Sequence, residues 1–335
     1  MRFALVGAGV IGEVHARLIT SLAGRAELAA VVDVDAERAR SLTAEFGGTP
    51  FTSLADALAD VDAVSVCLPS GAHADAAVLA LAAGKHVVVE KPIDITLAAA
   101  DRIATAEQDS GRTVAVISQR RFQRAPAFVR RAVVDGRFGR ITSGTAESTF
   151  WRPQSYYDSG GWRGTRALDG GGALMNQGVH AVDLLLWLMG EPVEVVARSG
   201  RLAHDRIDVE DTVAAVVTFA SGAIGTITAT TAAFPGLPVR IAVHGDRGGA
   251  VVLGDDLAHF HTADGDEAPD LCGSSVEDAH RAQYADFLDA VRDGRPPLVG
   301  TADGRRALAV VLAAYESART GAPVALDGDN QCASA

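Results

Sequence analysis

The first third of the chain changes period again and again, and this limits its fold more than any other feature. Short β-branched runs at Phe3–Gly7, Leu28–Val34, Asp62–Pro69, His86–Lys91 and Thr113–Ser118 alternate with alanine-rich segments of helical spacing at 11–22, 35–46, 53–59, 71–83 and 96–109. Runs this short and this uniformly apolar belong to strands buried on both faces, and the helices between them supply the cover. Strand–helix–strand repetition on short connections predicts an α/β fold with a doubly wound parallel sheet. After Phe122 the pattern changes. A helix near 125–134, a strand at Ile141–Phe150, an irregular loop rich in Gly, Trp, Tyr and Arg, and a helix over 173–189 come first. Strand-like runs on short turns follow (VEVVARSG, DTVAAVVTFA, GAIGTITATTAAF, VRIAVHG, GAVVLG), which predict a second, mainly antiparallel sheet. Helices near 276–292 and 301–319 close the chain. The expected domains are 1–120 and 121–326, with a polar, disordered tail at 327–335.

Length and charge narrow the function classes. A chain of 335 residues with 48% apolar content can bury two cores. With 30 basic against 42 acidic residues, the formal charge of −12 argues against nucleic acid or an anionic membrane as the main partner. Cys67, Cys272 and Cys332 have no paired spacing, so neither a disulfide framework nor a zinc site follows. The opening MRFALVGAGVIG lacks the charged, apolar and small-residue pattern of an export signal. No apolar run approaches the ~20 residues of a membrane span. The expectation is a cytoplasmic protein.

GAGVIG, at Gly7–Gly12, stands where the first strand gives way to the first helix. Glycines 7, 9 and 12 serve a tight turn, close approach of backbone to a pyrophosphate, and close helix–strand packing; Val10 and Ile11 complete the turn. Free N–H groups at the helix start suit phosphate. Asp33 follows about 20 residues later, placed to accept from an adenosine ribose, which favours NAD over NADP; its plain alternative is a helix N-cap. Arg38 reads as a solvated helix residue. Pro69, Ser70 and His73 lie at the carboxyl edge of the sheet, where Ser70 and His73 are candidates for the nicotinamide ribose. Ser70 is equally a candidate helix cap.

On the same edge, three valines lead into Glu90, Lys91 and Pro92. Packing has no need for a lysine there, and a buried amine is costly unless paired. Either it is a donor or base for chemistry, or it is half of a salt bridge. Asp169–Leu185 reads DGGGALMNQGVHAVDLL. Its glycines allow close backbone approach, and Asn176, His180 and Asp183 share one helix face at i, i+4 and i+7. A structural role is the favoured reading for Asp183.

Taken together, GAGVIG, VVDVD, EKP and GGGALMNQGVHAVD resemble the Gfo/Idh/MocA oxidoreductases over nearly the whole chain. The resemblance implies a Rossmann domain followed by an α/β domain with a large open sheet that builds homodimers or homotetramers. It implies Lys91 and His180 as the catalytic pair, Asn176 where Asp is usual, a cis Lys91–Pro92 peptide, and Gln119 and Glu90 near the cofactor. An amide at 176 orients a hydroxyl but is no useful proton acceptor, which leaves His180 or Lys91 as the base. The expected activity is NAD-dependent oxidation of a secondary hydroxyl on a sugar, sugar derivative or cyclitol, of the inositol dehydrogenase kind. The alternatives are ketosugar reduction, an NAD-dependent glycosidase and a non-catalytic NAD-binding regulator.

The loop Thr149–Asp169 is the candidate substrate wall. Trp151, Tyr156, Tyr157 and Trp162 offer flat faces to a sugar ring. Arg152, Arg163 and Arg166 offer bidentate contacts to phosphate or carboxylate, with ion pairs or loop anchoring as the plain alternative. The arginines of QRRFQR (119–124) read as a charged, domain-crossing surface. His259 and His261 share a strand face, but no acid or cysteine is evident nearby in the sequence pattern, so no metal is expected.

Overall fold

The computed structural model describes residues 1–265, 268, 271 and 275–326. Cys272, Cys332 and the expected tail at 327–335 lie outside the described residues. Two compact units emerge: Met1–Gln119 with Glu277–Arg305, and Arg120–Val276 with Arg306–Ala335.

In the first unit the elements run β1 (Arg2–Val6), α1 (Val10–Ser21), β2 (Glu27–Val32), α2 (Ala36–Phe46), β3 (Thr49–Phe51), α3 (Leu54–Ala57), β4 (Ala63–Val66), α4 (His73–Ala82), β5 (His86–Val89), α5 (Leu97–Ser110) and β6 (Val114–Val116). The strands pair in parallel in the order β3-β2-β1-β4-β5-β6. The order turns back between β1 and β4, the switch point outside which ligands bind in such sheets. The run listing from sequence lacks β3, because TPF carries no apolar pattern. Pro50 is tolerated there because β3 is an edge strand.

In the second unit, α6 (Arg124–Val134), β7 (Ile141–Thr149) and α7 (Gln154–Asp158) lead to a π-helical turn over Ala173–Gly178, which passes directly into α8 (Val179–Met189). Strands β8 (Pro192–Gly200), β9 (Thr212–Phe219), β10 (Ile224–Thr230), β11 (Arg240–Gly245), β12 (Gly248–Leu253) and β13 (Asp256–Thr262) follow. After α9 (Val276–Asp293) and α10 (Thr301–Thr320), the short β14 (Val324–Ala325) completes an eight-stranded sheet, β13-β12-β11-β7-β10-β9-β8-β14. All neighbours are antiparallel except β10 with β7. Helix α8 packs on β7 and β11. Gly144 lets it come close, since a Cβ there would stand 2.2 Å from the Met189 sulfur. The opposite face of the sheet exposes Val196, Val216 and Ile224.

One boundary needs correcting. The expected second domain, 121–326, is interrupted, because Glu277–Arg305 cluster with the first unit. The cause is α9, whose Tyr284, Phe287 and Leu288 join the core formed by Phe3, Leu5, Leu18 and Ile19. The Tyr284 and Phe287 rings lie 5.9 and 6.1 Å from that of Phe3. Among the described residues no helix is long and apolar enough to cross a membrane.

Candidate active site

The glycine turn of the first unit is built by close approach. Gly7 has φ +97°, and a Cβ on it would fall 2.4 Å from the Cys67 carbonyl oxygen; one on Gly12 would fall 2.0 Å from the Gly7 oxygen. Gly9 differs. It caps α1 with no side-chain hydrogen bond, and no described atom lies within 4 Å of where its Cβ would be. Open space over bare helix N–H groups is what a pyrophosphate requires. Val10 is exposed and Ile11 half-buried on the same turn. Asp33 accepts from the N–H groups of Ala8 (2.8 Å) and Asp35 (2.9 Å), so it is tied to the glycine turn. The N-cap of α2 is Asp35, which accepts from Glu37 N–H, so the capping alternative for Asp33 does not hold. Arg38 is exposed and pairs with Asp35 at 3.5 Å, as a solvated helix residue does. Gln119 is buried, and its Oε1 has no hydrogen-bond partner among the described residues. An orphaned buried acceptor is costly unless a ligand or water completes it. The open cradle at Gly9 and this orphaned acceptor fit a dinucleotide.

The segment from Glu90 to Asp94 is held at every polar step. Glu90 is buried; its Oε1 accepts from His15 Nε2 (3.0 Å) and its Oε2 from Lys91 N–H (3.0 Å). The Lys91–Pro92 peptide is cis, and Lys91 is half-buried. The Pro92 oxygen meets His73 Nδ1 at 2.8 Å, while His73 Nε2 meets the Leu68 oxygen at 2.9 Å. Burial outweighs these contacts and lowers the His73 pKa. Both ring nitrogens thus face backbone carbonyls, which corrects the reading of His73 as a ribose contact: it braces the Lys91–Pro92 turn. Ser70 is buried, and neither the short turn it opens nor α4 carries a side-chain cap, so the capping alternative fails there too. Pro69 precedes that turn. Asp94 accepts from Ala74 and Ile95 N–H groups.

Behind Glu90 lies a cluster that sequence reading missed. His15 Nδ1 lies 2.9 Å from Ser65 Oγ and 2.8 Å from Tyr284 Oη. Burial alone would drive the His15 ring neutral; Cys67, Tyr284 and the hydrogen bond to Glu90 more than reverse this, and its pKa is held well above the ordinary value. Burial would raise Glu90, but His15 and Lys91 pull it far below the usual carboxylate range. Burial pushes His280 down to about 4 and Tyr284 up to about 12. The ligand-type atoms of His15, Glu90 and His280 lie within 4.8 Å of one another, a spacing that suits a metal ion. Here His15 and Glu90 spend theirs on a buried ion pair. The sequence signal was a histidine on the buried face of α1, three residues past Gly12.

In the second unit the glycine triplet serves contact with a buried acid. A Cβ on Gly171 would fall 2.3 Å from Tyr315 Oη, and one on Gly172 would fall 1.7 Å from the Glu210 oxygen. The Glu210 carboxylate accepts from Gly172 N–H, Leu174 N–H and Tyr315 Oη, and Tyr315 Oη accepts from Met175 N–H. Three backbone N–H groups at the start of the π turn are thereby satisfied. Burial raises the Glu210 pKa, and burial together with Glu210 raises that of Tyr315. The expected plain helix over 173–189 therefore begins as a wide π turn that carries Asn176. Asn176 and His180 are half-buried, and Asn176 Nδ2 donates to Asp169 at 2.6 Å.

Asp183 is structural. It receives Arg121 Nε at 2.8 Å and Nη2 at 2.6 Å, and both residues are buried. The Arg121 guanidinium also lies 5.3 Å from the centre of the Trp187 ring. This corrects the surface reading of QRRFQR, because a bidentate carboxylate and an aromatic face draw Arg121 inside.

In the loop Thr149–Asp169, Arg152 and Arg163 flank Tyr156, their guanidinium carbons 4.9 and 4.7 Å from the ring centre, and Arg163 lies 5.2 Å from the Trp162 ring. The Nε atoms of both arginines are buried with no partner among the described residues. Arg166 is exposed and bonds the Asp208 oxygen, so it anchors the loop. Trp151 packs edge-on against exposed Phe234. Tyr157 is buried against Thr231 Oγ1 at 2.8 Å. The His259 and His261 rings stack 6.5 Å apart.

Comparison with known proteins places residues 1–118 in the oxidoreductase family with an NAD-binding Rossmann fold, and residues 127–251 in the GFO/IDH/MocA C-terminal domain. The chain is 30% identical to inositol 2-dehydrogenase of Rhizobium meliloti, with 95% of this chain and 96% of that protein aligned. It is 30% identical to UDP-N-acetylglucosamine 3-dehydrogenase of Acidithiobacillus ferrooxidans, over 93% and 95%. Among solved structures, the WlbA dehydrogenase of Bordetella pertussis, in complex with NADH and UDP-GlcNAcA, superposes with a TM-score of 0.90 at 34% identity, over 98% of each chain.

Proposed function

The chain belongs to the GFO/IDH/MocA oxidoreductase family, and from that premise we propose that it is an NAD-dependent dehydrogenase of anionic sugars, with UDP-GlcNAcA the first substrate to try. Its first unit is an NAD-binding Rossmann fold. Homologous dehydrogenases named for inositol and for a UDP-sugar support a hydroxyl on a cyclitol or sugar ring as the reacting group. The observation that carries the anionic reading is the pair Arg152 and Arg163 around Tyr156, each with a buried, unpartnered Nε among the described residues. A guanidinium whose buried Nε keeps a spare donor favours a carboxylate or phosphate over a neutral hydroxyl. Trp151 and Trp162 extend the aromatic wall.

When bound, NAD supplies the acceptor for the two electrons of the oxidation. Lys91 hydrogen-bonds the reacting oxygen and steadies the charge that develops there. His180 removes the hydroxyl proton as general base, and Asn176 positions the substrate. The Glu90–His15 pair keeps the backbone on the amino side of Lys91 fixed, and His73 does the same on the other side. We place the protein in the cytoplasm, where NAD is available. We also propose that it assembles as a homodimer or homotetramer through the exposed apolar residues of the eight-stranded sheet, which light scattering tests. For the chemistry, Lys91→Ala and His180→Ala should each lower kcat by about 10²- to 10⁴-fold with NAD affinity nearly unchanged. Near-normal turnover in both variants would refute the assignment.

A further inference from the structure

An arginine on a loop grips an anion well only if the backbone beneath it is fixed, because ordering a mobile segment consumes binding energy. The connection between β8 and β9, residues 201–211, supplies that fixing to the loop Thr149–Asp169. Beside Arg163, the Asp208 N–H donates to the Gly164 oxygen at 2.8 Å, and Ile207 and Val209 pack with Tyr156 and Tyr157. At Arg152 the contact is a buried histidine. His204 is 4% exposed, with Nε2 2.8 Å from the Arg152 oxygen and Nδ1 3.0 Å from Asp211 Oδ2. A carbonyl only accepts, so Nε2 is the donor of that bond. The Arg152 N–H donates to the Thr231 oxygen at 2.9 Å, so both backbone polar groups of residue 152 are bonded.

Asp211 sets the ring. It is fully buried and accepts from the N–H groups of Leu202, Ala203 and His204 and from the Thr212 hydroxyl. Burial would raise its pKa, but these N–H groups and the His204 ring hold it below the usual carboxylate range. The Tyr157 ring meets His204 edge-on at 4.8 Å and closes another side. Resting on the proposed dehydrogenase reading, we propose that His204 is a positioning residue for anion recognition: held by Asp211, it pins the Arg152 carbonyl so that the guanidinium stays on Tyr156 and meets an anionic group of the sugar. Packing alone does not call for a histidine here. A phenylalanine would fill the same space against Tyr157 with no buried polar atoms to satisfy. What the imidazole adds is direction, one donor aimed at the residue that carries the guanidinium.

Two substitutions separate direction from space filling. His204→Phe keeps a ring against Tyr157 and removes the donor, while Asp211 retains its backbone N–H groups and the Thr212 hydroxyl. With NAD saturating, KM for UDP-GlcNAcA should rise about 10-fold, and kcat should stay within about threefold of wild type. His204→Gln sets an amide N–H where Nε2 stands and should keep KM within about threefold of wild type. In an Arg152→Ala background, His204→Phe should add less than about twofold, because its effect runs through a guanidinium that is gone. A merely structural ring predicts the reverse: Phe close to wild type, Gln worse, and full additivity with Arg152→Ala. Either that reversed order or that additivity overturns the proposal.

Should the wild-type protein turn over no sugar at all, the dehydrogenase reading fails and not this one. Nitrogen-labelled NMR of the Arg152 Nε–H group, assigned by its loss in Arg152→Lys, then decides. Slow solvent exchange in wild type and in His204→Gln that becomes fast in His204→Phe supports the positioning role. Equal exchange in wild type and His204→Phe contradicts it.

Discussion

The candidate site residues of the first unit and those of the second are held in different ways. In the first unit the groups that brace the glycine turn and the Lys91–Pro92 peptide are bonded within the chain, while Gln119 Oε1 keeps no partner among the described residues. Asp33 is tied to the glycine turn, Glu90 to His15 and the Lys91 backbone, and His73 to two carbonyls. In the loop Thr149–Asp169 of the second unit, proposed to face the substrate, Arg152 and Arg163 each keep a buried Nε without a partner among the described residues, propped on aromatic faces. A cofactor is the same in every turnover, so its cradle can be rigid and leave only a few groups open, here the turn at Gly9 and Gln119 Oε1. A substrate loop has to leave bonding capacity for the molecule that defines the enzyme. What differs between the halves is where the unsatisfied groups sit, and those mark the ligand.

Substitutions sharpen or break this contrast. The largest effect should come from Gly12→Ala. Its Cβ meets the Gly7 oxygen at 2.0 Å, backbone against backbone, which cannot yield cheaply. Calorimetry should show NAD binding lost or weakened by about 100-fold or more, with ~1–3 kcal/mol of stability gone as well. NAD binding at full strength would show that the turn is not a rigid cradle. Next, Arg152→Ala and Arg163→Ala should each raise KM for UDP-GlcNAcA by about 10- to 100-fold and leave the NAD dissociation constant unchanged. An effect on NAD in place of the sugar would erase the distinction between the halves.

The smallest expected effect is on stability against pH. His280 sits near 4 in the folded protein because burial disfavours its charge, so between about 4 and its ordinary 6.5 the unfolded chain binds more protons and stability rises with pH. His15 is raised in the folded state, so its contribution is complete below 6.5 and is lost as pH climbs through its folded value. Urea unfolding should show greatest stability near 6.5. The acid limb should flatten in His280→Asn and the alkaline limb in His15→Gln. Unchanged limbs would mean that the buried cluster does not titrate as described.

Local pattern made much of this legible. The parallel strands, GAGVIG and the helix bearing His180 are each written within a dozen residues, and Asp33 follows at the distance the motif requires. Groups that meet only through tertiary packing were not legible. His15 and Tyr284 stand far apart in sequence and share a hydrogen bond. Arg121 looks like surface until Asp183 and Trp187 enclose it. The π turn exists because Glu210 and Tyr315 capture its N–H groups, and no periodicity in residues 173–178 announces that. Helix α9 reads as part of the second domain because it follows it in the chain, yet its apolar face completes the first core.

The central claim is an NAD-dependent oxidation whose sugar is chosen by its negative charge. Initial rates of NAD reduction, measured side by side with UDP-GlcNAcA and with myo-inositol, test it most directly. The account predicts turnover of the anionic sugar with kcat/KM at least about 100-fold above that of the neutral cyclitol, the span of two charge-assisted contacts. Equal or better turnover of myo-inositol, or no reduction of NAD by either compound, would contradict it.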